Sequence, residues 1–209
     1  NNQEKGVDEP DLVKTDGTRI VTVTDGKLSV VTVTGGGTTA GTPHQVAVGD
    51  ASSGITDLLL AGDRALVFGT VWVASPSSDR APGSASVKGV AIDSMPAAGS
   101  TWATVTEVDL SGAEPKVGST LRLEGAYLTA RMIGTTVRLV VRSEPQQLPF
   151  VTPQNQSGEE RARKANEEVV LDSTLEDWLP EYEIVDASGT RGAHGLLTDC
   201  TRVDAPTEF

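Results

Sequence analysis

An all-β fold assembled from repeated four-stranded units is what the sequence predicts, and three observations carry that expectation. Thr, Val and Gly crowd the first two-thirds of the chain, where Ala-Leu-Glu-Lys runs are scarce, a balance that favours β-branched strands joined by glycine turns. One hairpin pattern, an apolar approach followed by a polar-glycine turn and an alternating strand, occurs three times. The turn glycines of those copies, Gly17, Gly62 and Gly134, reduce to a single period once one stretch of different texture is set aside.

The first copy is 13–23, the second 59–68 and the third 132–141. Gly62 lies 45 residues after Gly17, and Gly134 lies 72 after Gly62. The stretch 74–100, rich in Ala, Ser, Pro and Gly, reads as an insertion, and without it the second interval matches the first. Four short antiparallel strands with tight turns consume roughly 40 to 50 residues, which is the period of a β-propeller blade. The first blade is placed at about 7–50: the Asp25-Gly26 turn launches 27–33 as a third strand, and 45–48 is the fourth. The second is placed at about 55–124, with 102–110 and 119–123 as its outer strands. A third begins near Tyr127 and supplies two strands before Pro145.

Beyond that point the texture changes, and 146–209 reads as insertion and linker. Residues 146–158 are polar and proline-bearing, a loop, and 159–168 carry opposite charges three and four apart, a short helix. At 173–179 a second helix start is expected, capped by Ser173 with Glu176 three residues on and stopped by Pro180. One or two short strands and a polar tail complete the chain. The expected fold is thus a partial β-propeller, about two complete four-stranded blades plus the start of a third, with a helical insertion near 158–180. Two and a half blades leave unpaired edges, so the chain reads either as part of a longer polypeptide or as a unit whose copies cover the open faces.

Seventeen Lys and Arg against 29 Asp and Glu give a net charge of −12, which repels a phosphate backbone, so nucleic acid is not an expected partner. No stretch approaches the ~18 apolar residues of a membrane span. Asn1-Asn2-Gln3-Glu4 has no basic or apolar leader character, so any signal peptide lies outside this sequence. The single cysteine, Cys200, excludes an intrachain disulfide and every multi-cysteine metal site. It reads as a buried apolar residue or as half of a pair completed elsewhere.

The stretch 6–17, Gly-Val-Asp-Glu-Pro-Asp-Leu-Val-Lys-Thr-Asp-Gly, resembles the opening motif of a family of secreted bacterial and archaeal proteins with a C-terminal β-propeller domain distantly related to WD40 repeats. Residues 125–134 resemble a second motif of that family, and Leu179-Pro180 with the surroundings of Cys200 and Pro206 resemble the linker before a further blade strand. The resemblance implies a secreted or cell-surface protein and a propeller longer than this chain, with no established enzymatic activity.

The densest acidic group is Asp8, Glu9, Asp11 and Asp16, whose oxygens suit a hard cation such as calcium if a loop folds them inward. Their spacing lacks the regular acidic ladder of a calcium loop, so no cofactor is assigned. The favoured alternative is structural, with Lys14 and Arg19 pairing nearby carboxylates and Asp16-Gly17 forming the turn. His44 and His194 are the only histidines and have no ligand spacing; no Gly-x-Ser-x-Gly elbow anchors a triad. Gly35-Gly36-Gly37 is followed by no Lys-Ser or Lys-Thr and reads as a connector. Trp72 and Trp102, in strands, are expected to fill the space between blades, while Trp178 is the exposed candidate.

Two functions are carried forward. One is a non-enzymatic binding or scaffold module, with 74–100 and 146–199 as recognition surfaces for a protein or glycan. The other is an extracellular hydrolase or lyase with a site at the propeller channel, completed by blades outside this chain. Convergence of Asp16, Asp63, Arg64, Arg131 and Arg138 on one pocket favours the enzyme; scattered positions favour the module. The remainder of the propeller, or self-association, is the other expected partner.

Overall fold

A period of two in side-chain burial organises the first sheet. After a short strand β1 (Val7–Asp8), the chain forms β2 (Val13–Thr15), β3 (Arg19–Thr24) and β4 (Lys27–Thr34), then a two-residue β5 (Thr39–Ala40) and β6 (His44–Ala47). In β3, Val21 and Val23 are buried while Ile20 and Thr24 are exposed on the opposite side, the signature of a strand covered on one face. β2, β3, β4 and β6 pair in that order, all antiparallel, and β5 lengthens the far end of β4. Asp25 and Gly26 both have left-handed φ, 51° and 73°, which matches the β3–β4 turn to the right-handed strand twist. The structure is a computed structural model and describes residues 6–49, 54–74, 99–144, 148–153 and 155–204.

The second sheet repeats the plan with longer strands, β7 (Gly54–Ala61), β8 (Arg64–Ala74), β9 (Gly99–Asp109) and β10 (Lys116–Glu124). Residues 75–98 of the expected insertion lie outside the described residues. The two ends of that stretch belong to the paired strands β8 and β9, with Ala74 opposite Gly99. The third unit has β11 (Ala126–Ile133) and β12 (Thr136–Arg142). The fold is therefore mostly β, with open antiparallel sheets of a partial propeller. Its one α-helix, among the described residues, is α1 (Glu159–Asp172).

The middle sheet is buried on both sides. Val21, Val23, Leu28 and Val30 of the first sheet pack on Leu58, Ala65, Val67, Val108 and Leu110 of the second. Its other side carries Leu59, Leu66, Phe68 and Val105 against Tyr127, Ala130, Met132, Val137 and Leu139 of the third. The Phe68 and Tyr127 rings stack with centroids 5.5 Å apart. Consecutive side chains of β7, Leu58 and Leu59, thus enter two different cores, which is why that strand reads as an unbroken Leu-Leu-Leu run rather than an alternation.

The segment leading into β2 crosses all three sheets. β1 pairs with β11, placing Val7 opposite Ile133 and Asp8 opposite Met132. Asp11 then exchanges both backbone hydrogen bonds with Leu58, at 3.1 and 2.8 Å, before the chain enters β2. Residues 7–15 therefore pair in turn with the first strand of the third unit, with the first strand of the second and, as β2 itself, with β3 of the first.

After α1 the chain returns as a hairpin, β13 (Glu181–Val185) and β14 (Arg191–Leu196). β13 pairs with β10, so the second sheet is six strands wide, in the order β14-β13-β10-β9-β8-β7. Glu183 holds this extension by accepting from Arg122 Nη1 at 3.0 Å and from Arg191 Nε at 2.8 Å. Residues 173–179 correct the expected second helix. They form a single 3-10 turn over Leu175–Asp177, and Asp177 rather than Glu176 closes back on Thr174, accepting from its N–H at 2.7 Å and its hydroxyl at 3.1 Å. Ser173 instead donates to the Val170 carbonyl and accepts from Trp178 Nε1, both at 2.7 Å.

Truncating a residue of the second core tests this packing. Phe68→Ala removes a fully buried ring and is expected to cost about 3–5 kcal/mol in urea unfolding, against no more than about 0.5 kcal/mol for exposed Leu128→Ala.

Candidate functional site

The β2–β3 turn organises the most connected polar group among the described residues. Asp16 Oδ1 accepts from the Thr18 N–H, the Thr18 hydroxyl and the Arg19 N–H at 2.8–2.9 Å. Its Oδ2 accepts from Arg19 Nε at 2.8 Å. Arg19 then reaches across to the second sheet, donating to Asp63 Oδ1 at 3.0 Å, the Leu110 carbonyl at 3.2 Å and the Gly62 carbonyl at 3.0 Å. One guanidinium thus joins the first hairpin turn to the corresponding turn of the next unit, and its fixed fork is suited to several acceptors at once. Partial burial pushes the Asp16 carboxyl up, but the hydrogen bonds from Thr18 and Arg19 outweigh it and hold the group well below the usual carboxylate range.

The other acidic residues of the opening motif are engaged separately. Asp8 accepts from Lys14 Nζ at 2.7 Å, and the same ammonium also donates to the Glu9 carbonyl. Glu9 pairs with Arg131 at 3.2 Å. Asp11 Oδ1 accepts from the Leu12 N–H at 2.7 Å. The four carboxylates considered for calcium turn to four different partners, and among the described residues no group of three or more His, Cys, Asp or Glu gathers in a metal-holding arrangement.

The five residues whose convergence would favour an enzyme fall in three places. Asp16 and Asp63 meet at Arg19. Arg64 pairs with Glu107 at 2.6 Å across β8 and β9. Arg131 and Arg138 stand opposite each other on the third sheet. His44 pairs with Glu114 at 2.8 Å, and His194 Nδ1 lies 3.0 Å from the Gly192 carbonyl. Tyr127 donates to Asp57 at 3.1 Å; burial first, then the Asp57 charge, raise its phenol well above the ordinary range, so it stays a donor.

Two tryptophan and cysteine expectations need correction. Trp72 is half exposed, lying over Gly99 of the neighbouring strand rather than filling the space between blades. Cys200 is exposed in a 3-10 turn, not buried. Trp102 donates to Ser100 at 2.7 Å and is partly buried.

Outside the blade cores, the segment after β12 builds an apolar surface. Asn166 of α1 pins residue 151 by accepting from its N–H at 2.7 Å and donating to its carbonyl at 3.0 Å. That pinning sets Phe150 6.4 Å from Trp178, ring to ring. Phe150, Val170, Trp178 and Leu171 all remain exposed, Leu171 at 82 %. Phe150, Val170 and Leu171 share a cavity of about 540 Å³ with Arg163, Asn166 and Glu167. The sequence pointed to Arg19 pairing a nearby carboxylate but not to its reach into the second sheet, and the Gly-x-Arg spacing shared by Gly17–Arg19 and Gly62–Arg64 does not signal that reach, since Arg64 turns to Glu107 of its own sheet.

Two variants test the tie. Arg19→Leu is expected to lower stability by about 1–3 kcal/mol, since it leaves carbonyls and a carboxylate without their charged donor. Because the folded Asp16 pKa is depressed, its contribution is complete above the unfolded value near 4 and drains as pH falls below it. Asp16→Asn is therefore expected to be less stable than wild type at pH 7, with the gap closing in denaturant titrations toward pH 2.

Comparison with curated proteins and with solved structures gives no match. A family model described as "Beta propeller domain" matches residues 1–209, the whole sequence. With three sheets stacked face to face and joined through one N-terminal segment, the chain belongs to the β-propeller domain family.

Proposed function

We propose that this chain is an extracytoplasmic β-propeller module, secreted or cell-surface, that acts as a non-enzymatic binding or scaffold unit. Its recognition surface is the segment 148–204 appended to the outer edge of the second blade, and its partner is a protein or glycan. The observation that carries this reading is the exposed cluster of Phe150, Val170, Leu171 and Trp178 on an element that contributes nothing to the two blade cores. Clustered exposed apolar and aromatic side chains cost solubility and persist where a partner covers them. Several ionised side chains of the blades, by contrast, are paired with each other, as Arg19 with Asp16 and Asp63 or Lys14 with Asp8. The extracytoplasmic location rests on the resemblance of the opening motif to secreted propeller proteins.

The test is tryptophan fluorescence of the protein titrated with a panel of soluble oligosaccharides and secreted-protein fractions. Trp178→Ala and Leu171→Ser are expected to weaken binding at least about tenfold while Tm moves by less than about 2 °C, since neither side chain is buried. Binding that survives both substitutions contradicts the assigned surface, and turnover of a bound glycan would favour the hydrolase or lyase reading instead. Fractionation of cells producing the full-length gene product is expected to find it outside the cytoplasm; recovery in the cytosol contradicts the location.

A further inference from the structure

Helix α1 separates its charges along its length. Its cations, Arg161, Arg163 and Lys164, all sit in the first half. Two of them are engaged there: Arg163 donates to Glu160 at 2.8 Å and also to Glu167, and Lys164 lies 3.9 Å from Glu160. From Glu167 to Trp178 the sequence holds only acidic charge, at Glu167, Glu168, Asp172, Glu176 and Asp177. The side chains of Glu168 and Asp172 are exposed and make no hydrogen bond or ion pair among the described residues. Carboxylates four residues apart repel each other on a helix. At a C-terminus they also meet the negative end of the backbone dipole, and the last turn of α1 has no basic residue to offset it.

This unopposed charge borders the apolar part of the same helix. Arg163, Asn166, Glu167, Val170 and Leu171 recur at the three- and four-residue spacing of one helix face, and with Phe150 they line the cavity of about 540 Å³. Leu171, the most exposed of them, has Glu167 and Glu168 one turn before it and Asp172 directly after it. The polar members of the cavity are already engaged, Asn166 with the backbone of residue 151 and Arg163 with Glu167. What the surface offers is therefore apolar area with an anionic border.

We propose that this surface docks a cationic amphipathic segment of a partner protein. Apolar side chains of that segment enter the cavity lined by Phe150, Val170 and Leu171, and its Lys or Arg residues meet Glu168 and Asp172. Such a partner covers the exposed apolar groups and supplies the positive charge that the end of α1 lacks; the charge selects the partner and speeds its approach more than it adds affinity. A glycan needs hydrogen-bonding groups for its hydroxyls, and those of the cavity are occupied. A second copy of this chain, packed about a two-fold axis on Val170 and Leu171, brings the carboxylates at 167, 168 and 172 of both copies together, a repulsive arrangement. The inference rests on the reading of 148–204 as the recognition surface and narrows its partner to one chemistry.

The experiment follows the Trp178 indole Nε1–H signal of the ¹⁵N-labelled protein, assigned by its loss in Trp178→Phe. The probe is an amidated helical peptide of about 18 residues, with Leu recurring along one face and Lys on its flanks. Analogues carrying Gln or Glu in place of every Lys are the controls. The Lys peptide is expected to shift the signal saturably and to bind about tenfold more tightly than the Gln peptide, the scale of two exposed ion pairs, with the Glu peptide weakest. Raising NaCl from about 20 mM to about 500 mM is expected to close that gap. Glu168→Gln combined with Asp172→Asn, both at exposed positions, is expected to abolish the preference for Lys while binding of the Gln peptide persists. Asp25→Asn combined with Glu144→Gln changes the net charge equally at exposed positions outside this segment and is expected to retain the preference.

Equal binding of the Lys and Gln peptides overturns the proposal yet leaves 148–204 as a docking surface. Equal loss of preference in both double variants also overturns it, because net charge alone then explains the attraction. A signal that moves with neutral oligosaccharides but not with the Lys peptide assigns the surface to a glycan. A dimer of the free protein in light scattering that Leu171→Ser dissolves assigns it to a second copy. No shift with any peptide ends the proposal, and the recognition surface is then decided separately by the oligosaccharide and secreted-protein titrations.

Discussion

The arrangement depends on one short stretch of backbone, residues 7–15, that pairs in turn with strands of three sheets. Each blade hairpin is local and can form from neighbouring residues, but nothing local fixes how one blade sits on the next. β1 on β11, the Asp11–Leu58 exchange and β2 on β3 supply that information in nine residues. Asp8 and Glu9 reinforce the crossing by pairing with Lys14 of the first blade and Arg131 of the third. These pairs are partly exposed, so each is worth at most about 1 kcal/mol, and their larger effect is to select one register for a strand only two residues long.

Between the blades the work is divided between apolar area and directed hydrogen bonds. The two cores meet on opposite sides of β7 and β8, so in these strands alternation of side chains fails as a guide to exposure. Arg19 adds direction to the first interface, because its acceptors at Asp63, Gly62 and Leu110 sit on two separate turns of the second blade. Sliding one sheet over the other would break all three bonds at once, whereas apolar packing alone tolerates small shifts.

The fold class was legible because turn chemistry is local. Glycines at matching points of three hairpins need nothing from the rest of the protein to declare themselves, and the cross-strand pairs at Lys14, Leu59 and Arg131 share one offset from them. What escaped was non-local. A two-residue strand such as Val7–Asp8 has no periodicity to detect, and pairing of β13 with β10 joins residues about sixty apart, with a complete hairpin and a helix between them. The capping reading at Ser173 went wrong for a different reason: Ser173 and Thr174 are adjacent candidates, and the one-residue choice is decided by Trp178, whose indole N–H claims the Ser173 hydroxyl. For the candidate site, the acidic residues were visible as a cluster in sequence, but whether they face one point or several partners is set by the tertiary crossing that brings Lys14, Arg19 and Arg131 to them.

Native-state hydrogen exchange at the Leu58 amide, which donates to the Asp11 carbonyl at 2.8 Å, measures this crossing most directly. If residues 7–15 lock the blades together, Leu58 opens only with the cores and its protection matches that of Val67 and Val21 in the sheet interiors. An exchange rate at Leu58 close to that of the exposed hairpin turns, with Val67 still protected, would mean that the blades hold their places without the N-terminal segment.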